Sequence, residues 1–427
     1  MAIKKKGRWR RRLLIAGLSS FMGIIGLWIA VHRIPWLGPT IADSMRSVIG
    51  VEAVTDLEDF AYGIQDRWNR FSRSEEKPKA YWKVPLKRTT PLEGEVLSPT
   101  CIVGAFEPNK SGPVHDSWSA PGDGQWVPID DPRSDSPPVM YKTLLHPDRL
   151  RSWAAVSIVA IDRRRVKLHM MAGRYEPRSA TKEGFSYERR ARVPSDHQRV
   201  LLAAFNGGFK AEHGHYGMRV DGVTIIKPRP RACMIAMFDN DQLKIGDNKK
   251  LKERAEKAVW WRQTPACMVE DGNLHPGLVS DKNTYWGATL DGDTVIRRSA
   301  IGLSADGETL YSGIGDHTTA RAIAIAMKHA GAADVAQLDV NWSYPKFVIY
   351  RPREGKNGEL IATKLCDGFE FSEDEYIRDQ AARDFFYLTE RGNSEVAKRV
   401  CGEELNLEYP DAETRNGSPL GSQAQGG

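Results

Sequence analysis

The chain has 427 residues, 41% of them apolar, which is material for two or three units with at least one sizeable core. Five cysteines in that length exclude a disulfide-dense scaffold. The formal charge of +6 is local: residues 1–12 carry seven Lys and Arg and no acid, leaving 54 basic against 55 acidic residues beyond them. A body with a net charge of −1 is not a cationic nucleic-acid binder.

Leu13 to Val31 follows as nineteen residues without a charge. A helix of that length rises ~28 Å, close to the ~30 Å of a bilayer's hydrocarbon core. The run exceeds the ~7–15 apolar residues of a cleaved signal peptide and ends in His32-Arg33-Ile34-Pro35-Trp36, with no small-x-small site. It reads as an uncleaved transmembrane signal-anchor, with the basic segment 1–12 cytoplasmic and the body in the periplasm or extracellular space. Cys101, Cys233, Cys267, Cys366 and Cys401 then lie where disulfides persist; one or two bridges are expected, with at least one thiol left over.

Residues 32–78 read as a helical stalk, with Ile41, Met45, Val48, Val54, Leu57, Ile64, Trp68 and Phe71 mostly three or four apart. Residues 79–149 are rich in Pro, Gly, Asp and Ser and read as irregular chain with a few short strands. Ala154–Ile161, Val166–Met171 and Val200–Phe205 are expected strands, and Asp-Gly pairs at 221–222, 271–272, 291–292 and 306–307 mark turns between short runs. Thr318–Ala330 is the clearest helix, capped by threonine and stopped at Gly331, with a strand returning at Val335–Asp339. A capping box, Ser372 and Glu375, opens a second expected helix over Ser372–Glu390, within a helical segment 366–401. The tail 402–427 is small and polar and reads as disordered. Many short strands and few helices give an α+β class, a mostly antiparallel sheet core preceded by one transmembrane helix.

Polar residues at strand ends are the candidates for chemistry. Asn206 closes an apolar run, and Gly207 and Gly208 allow positive φ and close approach of a ligand. Arg298 and Ser299 border another strand, where a guanidinium forks onto phosphate or carboxylate. Asp316, His317, Thr318 and Thr319 open the best helix, whose amides and dipole favour an anion. Asp339, Asn341, Trp342 and Ser343 end the strand after it. His213 and His215 lack further ligands at a recognisable spacing, so no metal site is assigned; a divalent cation is left open as cofactor.

These strings, in this order, resemble the phosphodiester glycosidase domain family. Its NGGF-type turn is matched by Asn206–Phe209, its V-x-G hairpin by Val220–Gly222, and its R-[TS]-A-I-G strand by Arg298–Gly302. Its helix and following L-D are matched by Thr318–Ala332 and Leu338-Asp339. The resemblance covers about residues 150–350 and implies a domain over 150–365 that hydrolyses a sugar-1-phosphodiester in an envelope or exopolysaccharide glycan. One departure stands out: the family continues L-D with G-G-G-S, and here Val340-Asn341-Trp342-Ser343 follows. Trp342 there either stacks on a sugar or fills the cleft. On this reading Asp339 is the nucleophile or general base and Asn206 orients the sugar. Arg298 and the Thr318-Thr319 helix start hold phosphate. The alternative is a catalytically silent module of the same fold that binds glycan or another envelope protein.

Overall fold

The computed structural model describes residues 63–84, 94–134, 136–280, 286, 295–341, 343–356 and 358–403, with scattered positions between 15 and 48. The chain divides into two units, Met1–Ile64 and Gln65–Gly427. The anchor expected over 13–31 lies largely outside the described residues, as does the expected tail from residue 404 on. Among the described residues no helix is long and apolar enough to cross a membrane.

In the larger unit every strand pairing among the described residues is antiparallel and helices are few, the α+β class expected. An eight-stranded sheet runs Asn273–Leu274, Val269–Glu270, Asp334–Val340, Ile296–Leu303, Thr309–Thr318, Val156–Asp162, Met140–Leu145, Val127–Pro128 from edge to edge. A five-stranded sheet orders Leu360–Lys364, Phe347–Pro352, Leu201–Asn206, Phe385–Glu390, Val166–Met171, and a second one is built on Cys233–Phe238 and Ala258–Thr264. All three sheets send side chains into one core, including Val159, Phe205, Ile235, Ile301, Leu338 and Phe386. The opposite face of the large sheet is covered by helix Ala320–His329, through Ile323, Ala324 and Met327. Two of the Asp-Gly signals form two-residue hairpin turns with both central residues left-handed, Asp221 and Gly222 at φ 48° and 75° and Asp271 and Gly272 at the same values; the pair at 306–307 lies between two paired strands, and 291–292 lies outside the described residues.

Two expected helices are redrawn. The first starts later, because Thr318 ends strand Thr309–Thr318 and Thr319 is the N-cap, its Oγ1 accepting from Ala322 N at 3.0 Å. The second is absent. Its capping contacts form, Ser372 N to Glu375 Oε2 at 3.0 Å and Asp374 N to Ser372 Oγ at 3.2 Å, but they close a turn. Phe385–Glu390 is a strand between Leu201–Asn206 and Val166–Met171. Phe386 and Leu388 enter the central core while Phe385 and Tyr387 enter the layer on the other face. A run of aromatic and aliphatic residues buried on both faces suits a central strand and denies a helix its polar side.

Disulfides join Cys101 to Cys401 and Cys233 to Cys267, and Cys366 is a buried free thiol, within the range of bridges expected. The first bridge pins helix Asn393–Cys401 on hairpin Glu95–Val103, where Val103, Val396 and Ala397 pack together.

Candidate functional site

Strand Leu201–Asn206 is buried throughout, and the Asn206 carboxamide at its end is fully used. Its Nδ2 donates to Ser299 Oγ at 2.8 Å and Gly207 O at 3.1 Å, and its Oδ1 accepts from Lys346 N at 3.1 Å. Ser299 Oγ donates to Asp339 O at 3.1 Å, and Asp339 N donates to Gly207 O at 3.0 Å. Three segments distant in sequence therefore meet through direct hydrogen bonds.

A register slip brings Asp339 to this junction. Arg298 pairs with Val340 but Ala300 pairs with Gln337, so two steps on one strand face three on the other. The extra residue inverts the alternation. Gln337 and Val340 share the side of the sheet that Arg298 takes, and Asp339 turns to the side of Ser299.

The Asp339 carboxylate is 1% exposed. Oδ1 accepts from Val340 N at 2.9 Å, and Oδ2 accepts from Arg383 Nη1. Arg383 is the outer member of the pair, its side chain 17% exposed and its guanidinium 4.5 Å from the Tyr344 ring centroid. The next residue, Asp384, holds the NGG turn: Oδ2 accepts from Gly208 N and Arg262 Nε at 2.9 Å each, and its carbonyl accepts from Gly207 N at 2.9 Å and Tyr344 Oη at 2.5 Å. Arg262, fully buried, also donates to the carbonyls of Tyr216, Gln263 and Phe209.

The two glycines are explained by this packing. A Cβ on Gly207 would stand 2.3 Å from Asp384 Oδ2 and 2.4 Å from its carbonyl oxygen, and one on Gly208 would stand 2.7 Å from Arg262 Cζ. Neither is left-handed, so positive φ plays no part, and the close approach expected of a ligand is made by the protein itself.

Burial pushes the Asp339 carboxyl above the ordinary aspartate range, against the pull of Arg383 and the Val340 amide. Burial works to lower Arg383, but Asp339 outweighs it and holds the guanidinium above its usual value. Burial likewise raises the Tyr344 phenol well above its ordinary value. A desolvated carboxylate of raised proton affinity, covered by one partly exposed arginine, is suited to proton transfer beside a bound anion.

The other expected residues divide. Arg298 Nε donates to Thr318 O at 3.1 Å and its Nη1 to Trp286 O at 2.7 Å and Gln337 Oε1 at 2.9 Å, so protein oxygens occupy the fork expected for phosphate. Thr318 and Thr319, expected beside them, are both buried, and Thr319 caps its own helix. Asp316 and His317 stand at the strand end, half-buried, 3.2 Å apart, with Arg297 Nε 3.5 Å from the same Asp316 oxygen. Burial raises Asp316, but His317 and Arg297 prevail and hold it below its usual range. Asn341 Oδ1 accepts from the amides of Ser343 and Tyr344 at 2.8 Å each, closing a turn after strand Asp334–Val340. Trp342 lies outside the described residues.

Sequence reasoning missed Arg262, Tyr344, Arg383 and Asp384. The available signal was Arg383-Asp384 directly ahead of the apolar run Phe385–Leu388, a polar strand end like Asn206. Among the described residues no group of three or more His, Cys, Asp or Glu converges as a metal site. A surface cavity of about 490 Å³ lies elsewhere, lined by Tyr187, Arg190 and Asp221 among others, and none of the site residues borders it.

No family model matches the chain, and no curated protein matches it. Among solved structures it is similar to the zebrafish N-acetylglucosamine-1-phosphodiester alpha-N-acetylglucosaminidase (NAGPA) catalytic domain auto-inhibited by its pro-peptide, at 16% identity and a TM-score of 0.38, over 61% of this chain and 87% of that one. It is similar to a hypothetical protein from Synechocystis at 10% identity and 0.31, over 60% of this chain and 64% of that one. A protein described as exported, from Burkholderia pseudomallei K96243, matches at 12% and 0.30, over 59% and 75%. The likenesses are distant at these scores, and none of them gives a residue of this chain a role.

Proposed function

We propose that the chain is a membrane-anchored hydrolase of the cell envelope that cleaves a sugar-1-phosphodiester in an envelope or exopolysaccharide glycan. The observation that carries this reading is the junction of Asn206, Ser299 and Asp339 around a buried carboxylate whose charged partner, Arg383, reaches solvent. The ordered motifs of the sequence and the two disulfides, which suit an oxidising compartment, support it further. Arg383 takes over the anion-binding role first given to Arg298. A phosphodiester engaging its fork competes with Asp339 for the guanidinium.

Water attacks the anomeric carbon, a C–O bond forms there, and the C–O bond to phosphate breaks with its electron pair leaving on the phosphomonoester. Asp339 takes the proton from water as general base, or forms the sugar ester first as nucleophile. Asn206 and Ser299 position the carboxylate and do not touch the sugar. The purified full-length chain, incubated with several sugar-1-phosphate diesters, is expected to release free reducing sugar.

The second reading, a silent glycan- or protein-binding module, is favoured by one observation: Arg383 covers Asp339, while Asn206 and Arg298 are committed to internal bonds. Glycan binding with no sugar release on any diester selects it.

A further inference from the structure

The helical turns over 65–72 carry a face that the body of the protein does not cover. On one side Asp66 is buried and accepts Arg151 Nε and Nη2 at 2.7 Å each, Arg70 Nε stands 3.0 Å from the same carboxylate, and the Arg73 guanidinium lies 5.5 Å over the Trp153 ring. At ~100° per residue Trp68 and Phe71 fall roughly 140–200° around from Asp66. They point away from the body, 66% and 78% exposed, with ring centroids 6.2 Å apart. Two large aromatic rings exposed side by side mark a contact surface.

Charge and sequence select the partner. Residues 65–83 hold six Lys and Arg against three acids, and one of those acids, Asp66, is buried in its ion pairs. Arg67, Lys77, Lys79 and Lys83 are exposed. Aromatic rings flanked by cations fit the headgroup layer of an anionic bilayer, where tryptophan is enriched and each basic residue adds about fivefold to partitioning. Only residues 32–64 separate this face from the apolar run ending at Val31.

We infer that the face formed by Trp68, Phe71 and Arg67 seats the body of the protein on an anionic leaflet. The inference rests on the anchor of the proposed function, and the test separates the two. The full-length chain, with Ser72→Cys carrying a spin label next to Trp68 and Phe71, is reconstituted in vesicles of phosphatidylcholine with one third phosphatidylglycerol. A second preparation carries the label at Phe185→Cys, an exposed position on the body. Carbonate extraction reads the anchor; collision of the label with oxygen or with a water-soluble nickel chelate reads the docked face. The label at 72 is expected to be shielded from nickel and open to oxygen, and the label at 185 open to nickel. Trp68→Ser with Phe71→Ser should return the label at 72 to water with carbonate resistance unchanged. Nickel access at 72 equal to that at 185, in carbonate-resistant protein, overturns the docking and leaves the anchor standing. Shielding at 72 from nickel and oxygen alike means that protein covers the face, and also overturns it. Loss of the protein in carbonate with the label at 72 still facing lipid refutes the anchor and upholds the docking.

Discussion

Arg262→Met asks whether the NGG turn is held by the buried ion pair beneath it. Methionine keeps much of the length and removes every donor. Asp384 is left as a buried carboxylate with Gly208 N as its remaining neutral donor, and the carbonyls of Tyr216, Gln263 and Phe209 lose their shared partner. Breaking one side of a buried pair costs about 3–5 kcal/mol, most of it the uncompensated charge. At about 2 °C per kcal/mol for a domain of this size, Tm falls by about 6–10 °C. Asp384→Asn should cost a similar amount, and the double variant less than the sum, because the second change removes the charge that the first exposed. Urea unfolding followed by fluorescence, with m-values compared, supplies the four corners of the cycle. A loss below about 1 kcal/mol in both single variants, or strict additivity, would refute the claim that this pair carries the turn.

Asp339→Asn keeps the shape of the side chain and removes its charge; sugar release should fall by about 10²-fold or more, as expected for loss of a base or nucleophile, while Tm shifts less than in Arg262→Met. Survival of activity would leave Asp339 a structural carboxylate. Gly207→Ala drives a Cβ to 2.4 Å from a backbone oxygen and should cost about 1–3 kcal/mol, whereas Gly104→Ala, with nothing within 4 Å, should be near neutral in the same melt. Burial pushes the His169 imidazole down to about 3, with the positive charge near His197 and Lys167 adding to the effect. The unfolded chain, titrating near 6.5, then binds the extra proton between these values. That contribution to stability is present above pH 6.5 and is lost as pH falls towards 3, at up to ~1.4 kcal/mol per unit. His169→Phe, which preserves the stack on Tyr387, should flatten this fall when urea midpoints at pH 7 and pH 4 are compared; an unchanged difference counts against it.

The legible part of the molecule was the set of strand ends. Asn206, Ser299 and Asp339 each follow or border a short apolar run, and a polar group at such a place is either a turn or a site, so composition alone picks them out. Which face each one takes was not legible. The guanidinium of Arg298 suits an anion, but strand alternation sends it under the helix, and its neighbour Arg297 meets Asp316. The side that Asp339 takes depends on a bulge in its strand, which is a property of pairing and has no local sequence signal. Arg383 and Asp384 were hidden for a different reason. The Ser372–Glu375 capping box is real, and it satisfies the same amides in a turn as it would in a helix. The local signal was obeyed while burial on both faces decided the strand that follows.

Cys101 and Cys401 close a covalent ring around almost the whole body, 300 residues in circumference. Synthesis from the N-terminus delivers Cys101 first and Cys401 last, so this bond is made only after nearly all of the chain has been synthesised. Cys233 and Cys267, 34 residues apart, have no such wait. A closed ring also changes what a protease achieves. One cut anywhere between 101 and 401 yields two pieces that still migrate as a single molecule until a reductant separates them. Nicked protein therefore stays one covalent molecule until every bridge that spans the cut is opened: one bond for most cuts, and two for a cut between Cys233 and Cys267.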